Sequence, residues 1–274
     1  MEQSDRAPRV ITSLQNDTVK AIRALEMRKV RRETGQFVAE GASVLMTARD
    51  AGWVPQILLY QAGTADHGVY RALVEWAAKA GADILEVSEA VLGKLAAKDN
   101  PQTMLAVFQQ AWHQPPGTDA IDADDTWLAL EEIRDPGNLG TIIRTVDAVG
   151  AKGILLIGNC CDPYAREPVR ASMGSIFSVP LVKLDRAQFM AWRQGWRGEA
   201  VGTHLDGAED FRVRAYRSPT LLVMGSEGPG LSAELAAACD RLVKIPMAGT
   251  LDSLNLAIAT ALTLYQIRGP HLKL

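Results

Sequence analysis

The chain has 274 residues, of which 47% are hydrophobic, 22% charged and 6% aromatic, and its 29 Lys+Arg against 32 Asp+Glu give a formal net charge of -3. These proportions exclude collagen-like, disordered and disulfide-scaffold classes. The slightly acidic balance argues against a protein that coats nucleic acid by bulk positive charge. Along the chain, Asn16–Lys29 sets Val19, Ile22, Leu25 and Met27 near helical spacing, which predicts a helix. A strand is predicted over Gln36–Glu40, a helix over Gly41–Ala51 and a strand over Gln56–Tyr60. A helix over Gly68–Ala80, a strand over Asp83–Val87, a short helix over Glu89–Ala97 and a strand over Met104–Phe108 follow. Residues 1–110 thus read as a small α/β domain.

The stretch Ala111–Asp125 holds a Pro pair, a Gly and four aspartates, so residues 111–125 read as a linker. Residues 126–274 form the second predicted domain. Its apolar runs of strand length are Trp127–Glu131, Gly153–Ile157, Ile176–Leu181, Ala200–Thr203, Leu221–Met224 and Leu242–Ile245, with helical patterns between most of them. Runs of this kind suit a parallel sheet covered on both faces, whose ligands bind beyond the carboxyl ends of the strands.

Three loops after those runs carry the chemistry. The first is Arg134-Asp135-Pro136-Gly137-Asn138-Leu139-Gly140, leading into a helix with Ile142, Ile143 and Val146 inward, Arg144 in its first turns and Gly150 at its end. A tight turn with a surface arginine would give the same letters. The second is Gly225-Ser226-Glu227-Gly228-Pro229-Gly230, whose glycines let backbone pass close to a ligand, although a turn before a helix starting near Ser232 also accounts for them. Glu227 is the less ordinary residue, an acid inside a Gly-rich turn after a buried strand. The third runs from Ile245-Pro246-Met247-Ala248-Gly249 to Asp252-Ser253-Leu254-Asn255-Leu256, with a helix following to about Arg268. Ser253 or Asp252 suffices as its cap, whereas Asn255 is expected to be buried in the first turn. The apolar Leu256, Ile258, Ala259, Leu262 and Leu264 read as core or dimer interface.

Other chemistries fit poorly. The second loop lacks the lysine of a P-loop, and Met224 stands where a nucleophile elbow needs glycine. No G-x-G-x-x-G follows a strand and opens a helix. His67, His113, His204 and His271 are far apart, and no metal site is expected. Cys160, Cys161 and Cys239 form no C-x-x-C, so reduced thiols in a cytoplasmic protein are expected. The polar start MEQSDRAPRV and the lack of an apolar run of about 18 residues predict neither a leader nor a membrane span.

Taken together, the three loops resemble the three motifs of the SpoU–TrmH family of RNA ribose 2′-O-methyltransferases, in the SPOUT superfamily. The residues are Asn138-x-Gly140-x-x-x-Arg144, Leu222-Val223-Met224-Gly225-Ser226-Glu227-Gly228-x-Gly230, and Ile245-Pro246-Met247 continuing to Ser253-Leu254-Asn255, in the family's order and spacing. The likeness covers about residues 126–269. The stretch Ile11-Thr12-Ser13-Leu14-Gln15-Asn16, with Lys20, Leu25, Arg31 and Phe37-Val38-Ala39-Glu40-Gly41, is similar to the L30e-like substrate-binding domain that precedes the catalytic domain in many members.

The resemblance implies a parallel sheet with a deep trefoil knot, which topology rules alone would not suggest. It implies bound S-adenosyl-L-methionine and a homodimer that shares its site between protomers. It points to Arg144 as the group acting on the 2′-hydroxyl, either as base or as a cation on the nearby phosphate; an arginine that stays protonated suits the second role better. Asn138, Ser253 and Asn255 would position RNA or Arg144, and Glu227 would anchor Arg144 or Asn138. Thr203, Met224, Gly225, Gly230, Ile245, Met247 and Leu254 would hold the cofactor. Lys20, Arg23, Arg28, Lys29, Arg31 and Arg32, with Arg166 and Arg170, are candidate RNA contacts, a solvated helix face being the plain alternative. Ribosomal RNA is expected ahead of tRNA because of the first domain. The rival is a catalytically silent RNA-binding protein of ribosome assembly. The charge distribution agrees with local RNA binding, since Lys20–Arg32 carries six bases and one acid.

Overall fold

A computed structural model describes residues 7–66, 68–96, 101–205, 209–212 and 215–273. The start of the N-terminal stretch (1–6), His67, the last residue of the helix expected over Glu89–Ala97, and 206–208 of the loop after Thr203 lie outside the described residues. In chain order the first elements are β1 (Arg9–Ile11), α1 (Asp17–Ala24), α2 (Arg28–Thr34), β2 (Gln36–Glu40), α3 (Ala42–Asp50), β3 (Ile57–Gln61), α4 (Gly68–Lys79), β4 (Asp83–Val87), α5 (Glu89–Leu95) and β5 (Met104–Gln109). Then come β6 (Thr126–Glu131), α6 (Pro136–Ala148), β7 (Gly153–Ile157), α7 (Arg166–Ala171), β8 (Leu181–Leu184), α8 (Arg186–Gln194), β9 (Glu199–Thr203), β10 (Glu209–Asp210), β11 (Thr220–Met224), α9 (Ala233–Ala237), β12 (Arg241–Lys244) and α10 (Leu256–Arg268). They form two compact units, Met1–Gln110 with Tyr164–Phe177, and Ala111–Pro163 with Ser178–Leu274.

The first unit is a five-stranded mixed sheet in the order β1-β4-β3-β5-β2. One apolar cluster joins Val19, Ile22 and Leu25 to Leu59, Leu85 and Leu105. An aromatic cluster gathers Phe37, Trp53, Phe108, Tyr164 and Phe177, with ring centroids 4.8 Å apart for Phe37 and Tyr164 and 5.1 Å for Trp53 and Phe177. The returning segment Tyr164–Phe177 therefore supplies core to this unit. The helix expected over Asn16–Lys29 is two helices, with Met27 exposed between them. Between them the buried Arg31 guanidinium donates to the carbonyl oxygens of Leu25 (2.7 Å) and Glu26 (2.9 Å) and satisfies acceptors at the end of α1.

The second unit is a seven-stranded parallel sheet in the order β10-β12-β9-β11-β6-β7-β8. Its central strands β6, β7 and β11 are buried along their whole length, as the continuous apolar runs require. The run Ile176–Leu181 is not one strand; Ser175–Phe177 is a 3₁₀ turn and β8 begins at Leu181. Pro180 has no N–H to give a ladder, and its carbonyl accepts from Ile154 instead. Residues 111–125 group with this unit: His113 bridges Val182, and the Trp192 indole N–H donates to the Pro116 carbonyl at 2.9 Å.

Strand order decides where a ligand can sit. β12, β9, β11 and β6 are consecutive neighbours and all run the same way. Their carboxyl ends open side by side, which brings together loops far apart in sequence.

Candidate active site

Those loops enclose a cavity of about 680 Å³. Its strand-end walls are Thr203 of β9, Met224 of β11, and Val243 and Lys244 of β12, followed by Ile245 and Met247. Thr203 Oγ1 donates to the Met224 sulfur at 3.2 Å. Gly225, Ser226, Glu227, Gly228, Pro229 and Gly230 form one side; Ser253, Leu254 and Asn255 form another. Every residue assigned to the cofactor from the sequence (Thr203, Met224, Gly225, Gly230, Ile245, Met247, Leu254) faces this cavity. So do His204, Leu205 and Leu231, which the sequence did not mark as site residues, and Asp252 and Ala259, expected instead as a possible helix cap and as core or dimer interface. His204 and Leu205 directly follow the apolar run Ala200–Thr203, a signal present in the sequence.

The Gly-rich loop is tightly folded. Ser226 and Gly230 exchange both backbone hydrogen bonds, at 3.0 and 3.1 Å. A Cβ on Gly225 would lie 2.0 Å from the Gly230 carbon and the Leu231 nitrogen, so no larger residue fits there without moving backbone.

Polar groups at the cavity form a directed chain. Glu227 accepts from the backbone N–H of Arg134 (3.0 Å) and of Asp135 (3.4 Å), and from the Asn138 side-chain amide (3.1 Å). The Asn138 carbonyl oxygen in turn accepts from the Asn255 amide at 2.9 Å. Glu227 thus anchors Asn138, one of the two partners expected of it. Asp135, not foreseen as a cap, accepts from the Asn138 backbone N–H at 2.6 Å and starts α6. The cap of α10 is Asn255, whose oxygen accepts from Ala257 and Ile258, and not Ser253 or Asp252. Asn255 is also exposed, contrary to the expected burial, because α10 begins one residue after it.

Burial alone would raise the Glu227 carboxyl, but the donors from Arg134, Asn138 and Asp135 outweigh it and hold the group below its ordinary 4.5. A carboxyl depressed in the fold stabilises it above its unfolded value and loses that contribution as pH falls through the folded value. Glu227→Gln is therefore expected to lower the urea midpoint at neutral pH, with the gap to the native chain closing below about pH 4. A gap that persists unchanged in acid contradicts the assignment. Cys161 sits near this carboxylate, and burial, then Cys160, Glu227 and Asp135, push its thiol up to about 12. It stays protonated at neutral pH and supplies no nucleophile.

Arg144 does not face the cavity. It is exposed on α6 and, among the described residues, has no hydrogen-bond or ion-pair partner. Of the basic candidates in the first unit, Lys20, Arg23, Arg28, Lys29 and Arg32 are exposed. Three others make contacts within the chain. Arg31 is buried on the α1 carbonyls, Arg166 pairs with Glu26 (2.6 Å) and Glu40 (3.2 Å), and Arg170 pairs with Glu40 (3.2 Å). The Glu40 side chain is 2% exposed, so these arginines neutralise a buried carboxylate. Among the described residues no cluster of His, Cys, Asp and Glu could hold a metal, and no helix is long and apolar enough to cross a membrane.

Comparison with known proteins places this geometry. Residues 125–265 match the SpoU rRNA Methylase family, and residues 16–106 match the MRM3-like substrate binding domain. The chain is 33% identical to an uncharacterised tRNA/rRNA methyltransferase of Synechocystis over 94% of this chain and 93% of that one. It is 32% identical to the 23S rRNA (uridine(2479)-2′-O)-methyltransferase of Streptomyces viridochromogenes, covering 87% and 84% of the two chains. Among solved structures, an AdoMet-bound rRNA methyltransferase from Sinorhizobium meliloti superposes with a TM-score of 0.88 at 41% identity, covering 97% of this chain and 99% of that one.

Proposed function

The chain belongs to the SpoU rRNA methylase family, and from that premise we propose that it methylates a ribose 2′-hydroxyl of ribosomal RNA, using S-adenosyl-L-methionine. The observation that carries this reading is the Glu227–Asn138–Asn255 chain at a cavity of about 680 Å³. That volume falls in the range of small-ligand sites, and apolar walls with a few fixed polar groups suit a nucleoside bearing a charged tail. The tight Gly225–Leu231 turn presents main chain to the cavity, where a side chain at Gly225 would not fit.

The cofactor supplies an electrophilic methyl group on a sulfonium that departs as a neutral thioether. The protein's tasks are to place the hydroxyl in line and to ease loss of its proton. Asn138 is held at both ends, by Glu227 and by Asn255, so its amide presents one fixed orientation. Arg144 is assigned to the phosphate beside the target ribose, where a permanent guanidinium steadies developing charge. Its position away from the cavity supports a site completed by a second copy of the chain. Leu254, Ile258, Leu262 and Tyr265 form an exposed apolar stripe along and before α10, and α10 packs against α6; this face is assigned to the homodimer. The strand order β12-β9-β11-β6 is in keeping with the deep trefoil knot of the family. The free thiols fit a cytoplasmic enzyme.

RNA is assigned to the exposed face of α1 and α2. Replacing Arg23, Arg28, Lys29 and Arg32 together by glutamine is expected to weaken RNA binding and flatten its salt dependence by roughly one unit of slope per lost phosphate contact. Binding isotherms at several salt concentrations check it, and an unchanged slope contradicts it. The function itself is tested with labelled S-adenosyl-L-methionine and separate rRNA and tRNA pools. Alkali-stable label in rRNA is expected. Label in tRNA alone overturns the choice of RNA, and no cofactor binding by calorimetry favours a silent assembly protein.

A further inference from the structure

Glu227 is one of two carboxylates that tie the loops after β6 and β11. The second is Glu131, the last residue of β6, which sequence reading absorbed into a strand. Its Oε2 accepts from the backbone N–H of Ser232 at 2.8 Å, just beyond the Gly225–Leu231 turn. The two ties run in opposite directions. Glu227 reaches from the β11 loop to the β6 loop, and Glu131 reaches from the end of β6 to the far end of the β11 loop. Because β6 and β11 are paired neighbours, the two ties fix both the tip and the exit of the Gly-rich loop.

Glu131 differs from Glu227 in burial. Its side chain is 4% exposed, it does not face the cavity, and its charge is met by the Arg186 guanidinium at 2.9 Å. Arg186, the first residue of α8, also reaches Glu132 (3.6 Å) and Glu234 (3.3 Å) and so crosses from β8 to both loops. A buried carboxylate bonded to a main-chain N–H and closed by one arginine is a rigid spacer, and removing either partner leaves a costly unpaired charge. We propose that Glu131 and Arg186 are positioning residues that set the distance of the Gly225–Leu231 turn from the Asn138 loop, and through it the affinity for S-adenosyl-L-methionine. This rests on the cavity being the cofactor site.

The test is calorimetry with S-adenosyl-L-methionine on the full chain, beside steady-state kinetics with RNA. Ala259→Trp, which fills the cavity from α10, checks the site itself and is expected to abolish binding. Glu131→Gln and Arg186→Gln are expected to raise Kd and KM for the cofactor about tenfold, the lower end of what outer-shell partners contribute. The kcat at saturating cofactor and the KM for RNA stay unchanged, and Arg186→Lys restores much of the affinity. Arg186 is partly exposed, so Arg186→Gln carries the test if Glu131→Gln fails to fold. A lower Tm with an unmoved cofactor Kd overturns the proposal, since a merely structural tie would do that. Full binding by Ala259→Trp instead overturns the cavity assignment.

Discussion

Arg144→Ala lowers methyl transfer to RNA by at least ~10²-fold, the loss typical of a removed acid–base or charge-stabilising group, and leaves cofactor affinity and melting unchanged. The stability side of that expectation follows from position. Arg144 is exposed and, among the described residues, spends its guanidinium on no hydrogen bond or ion pair, so truncation breaks none of those. The affinity side follows from its absence from the cavity wall. The two possible roles separate by substitution. A phosphate-binding cation is partly replaced by lysine, whereas a base is not. Co-expression with Ala259→Trp tests sharing. Mixed dimers that pair one chain lacking Arg144 with one lacking the cavity regain activity if each site draws on both chains. Unchanged turnover in Arg144→Ala contradicts the role.

Gly225→Ala abolishes cofactor binding and destabilises the second unit by about 1–3 kcal/mol, the usual range for overpacking. The added methyl carbon would sit 2.0 Å from main-chain atoms of Gly230 and Leu231, which cannot rotate away as a side chain would. The Ser226–Gly230 pair must open to admit it, and the turn that borders the cavity is then lost. Gly228 supplies the contrast. A methyl carbon there would meet nothing within 4 Å, but the backbone φ is +90°, so Gly228→Ala costs about 1–2 kcal/mol of backbone strain without collision. Differential scanning and calorimetry on the two variants separate room from dihedral. Wild-type cofactor affinity in Gly225→Ala contradicts the close approach.

Much of the second unit is legible in the sequence, for physical reasons. Doubly covered parallel strands must be apolar along their whole length, so Trp127–Glu131 and Leu221–Met224 stand out, and each chemical loop follows such a run directly. Asn138, Glu227 and Asn255 are polar residues in the loops that follow buried strands, and they do meet. What stayed hidden depends on contacts that only the folded chain makes. At the break between α1 and α2, Arg31 folds back onto the Leu25 and Glu26 carbonyls. Arg166 and Arg170 look like free bases until Glu40 is seen buried beside them. Glu131 looks like a strand end until Ser232 is seen across from it. Asn255 was legible as a site residue but not as a helix cap, since Ser253 and Asp252 fit the same pattern.

The packing of Tyr164 and Phe177 also changes how the first unit can be probed. Deleting residues 1–110 would strip Phe37, Trp53 and Phe108 from those two rings, so a truncated chain would expose an aromatic core segment. Surface charge substitutions in α1 and α2 test RNA binding without that damage.

The most direct test of the central claim is a map of ribose 2′-O-methylation in total RNA from cells with and without this protein. The account predicts that one rRNA ribose loses its methyl group and regains it when the native chain, but not Arg144→Ala, is supplied. A methylation map with no change in rRNA would contradict it.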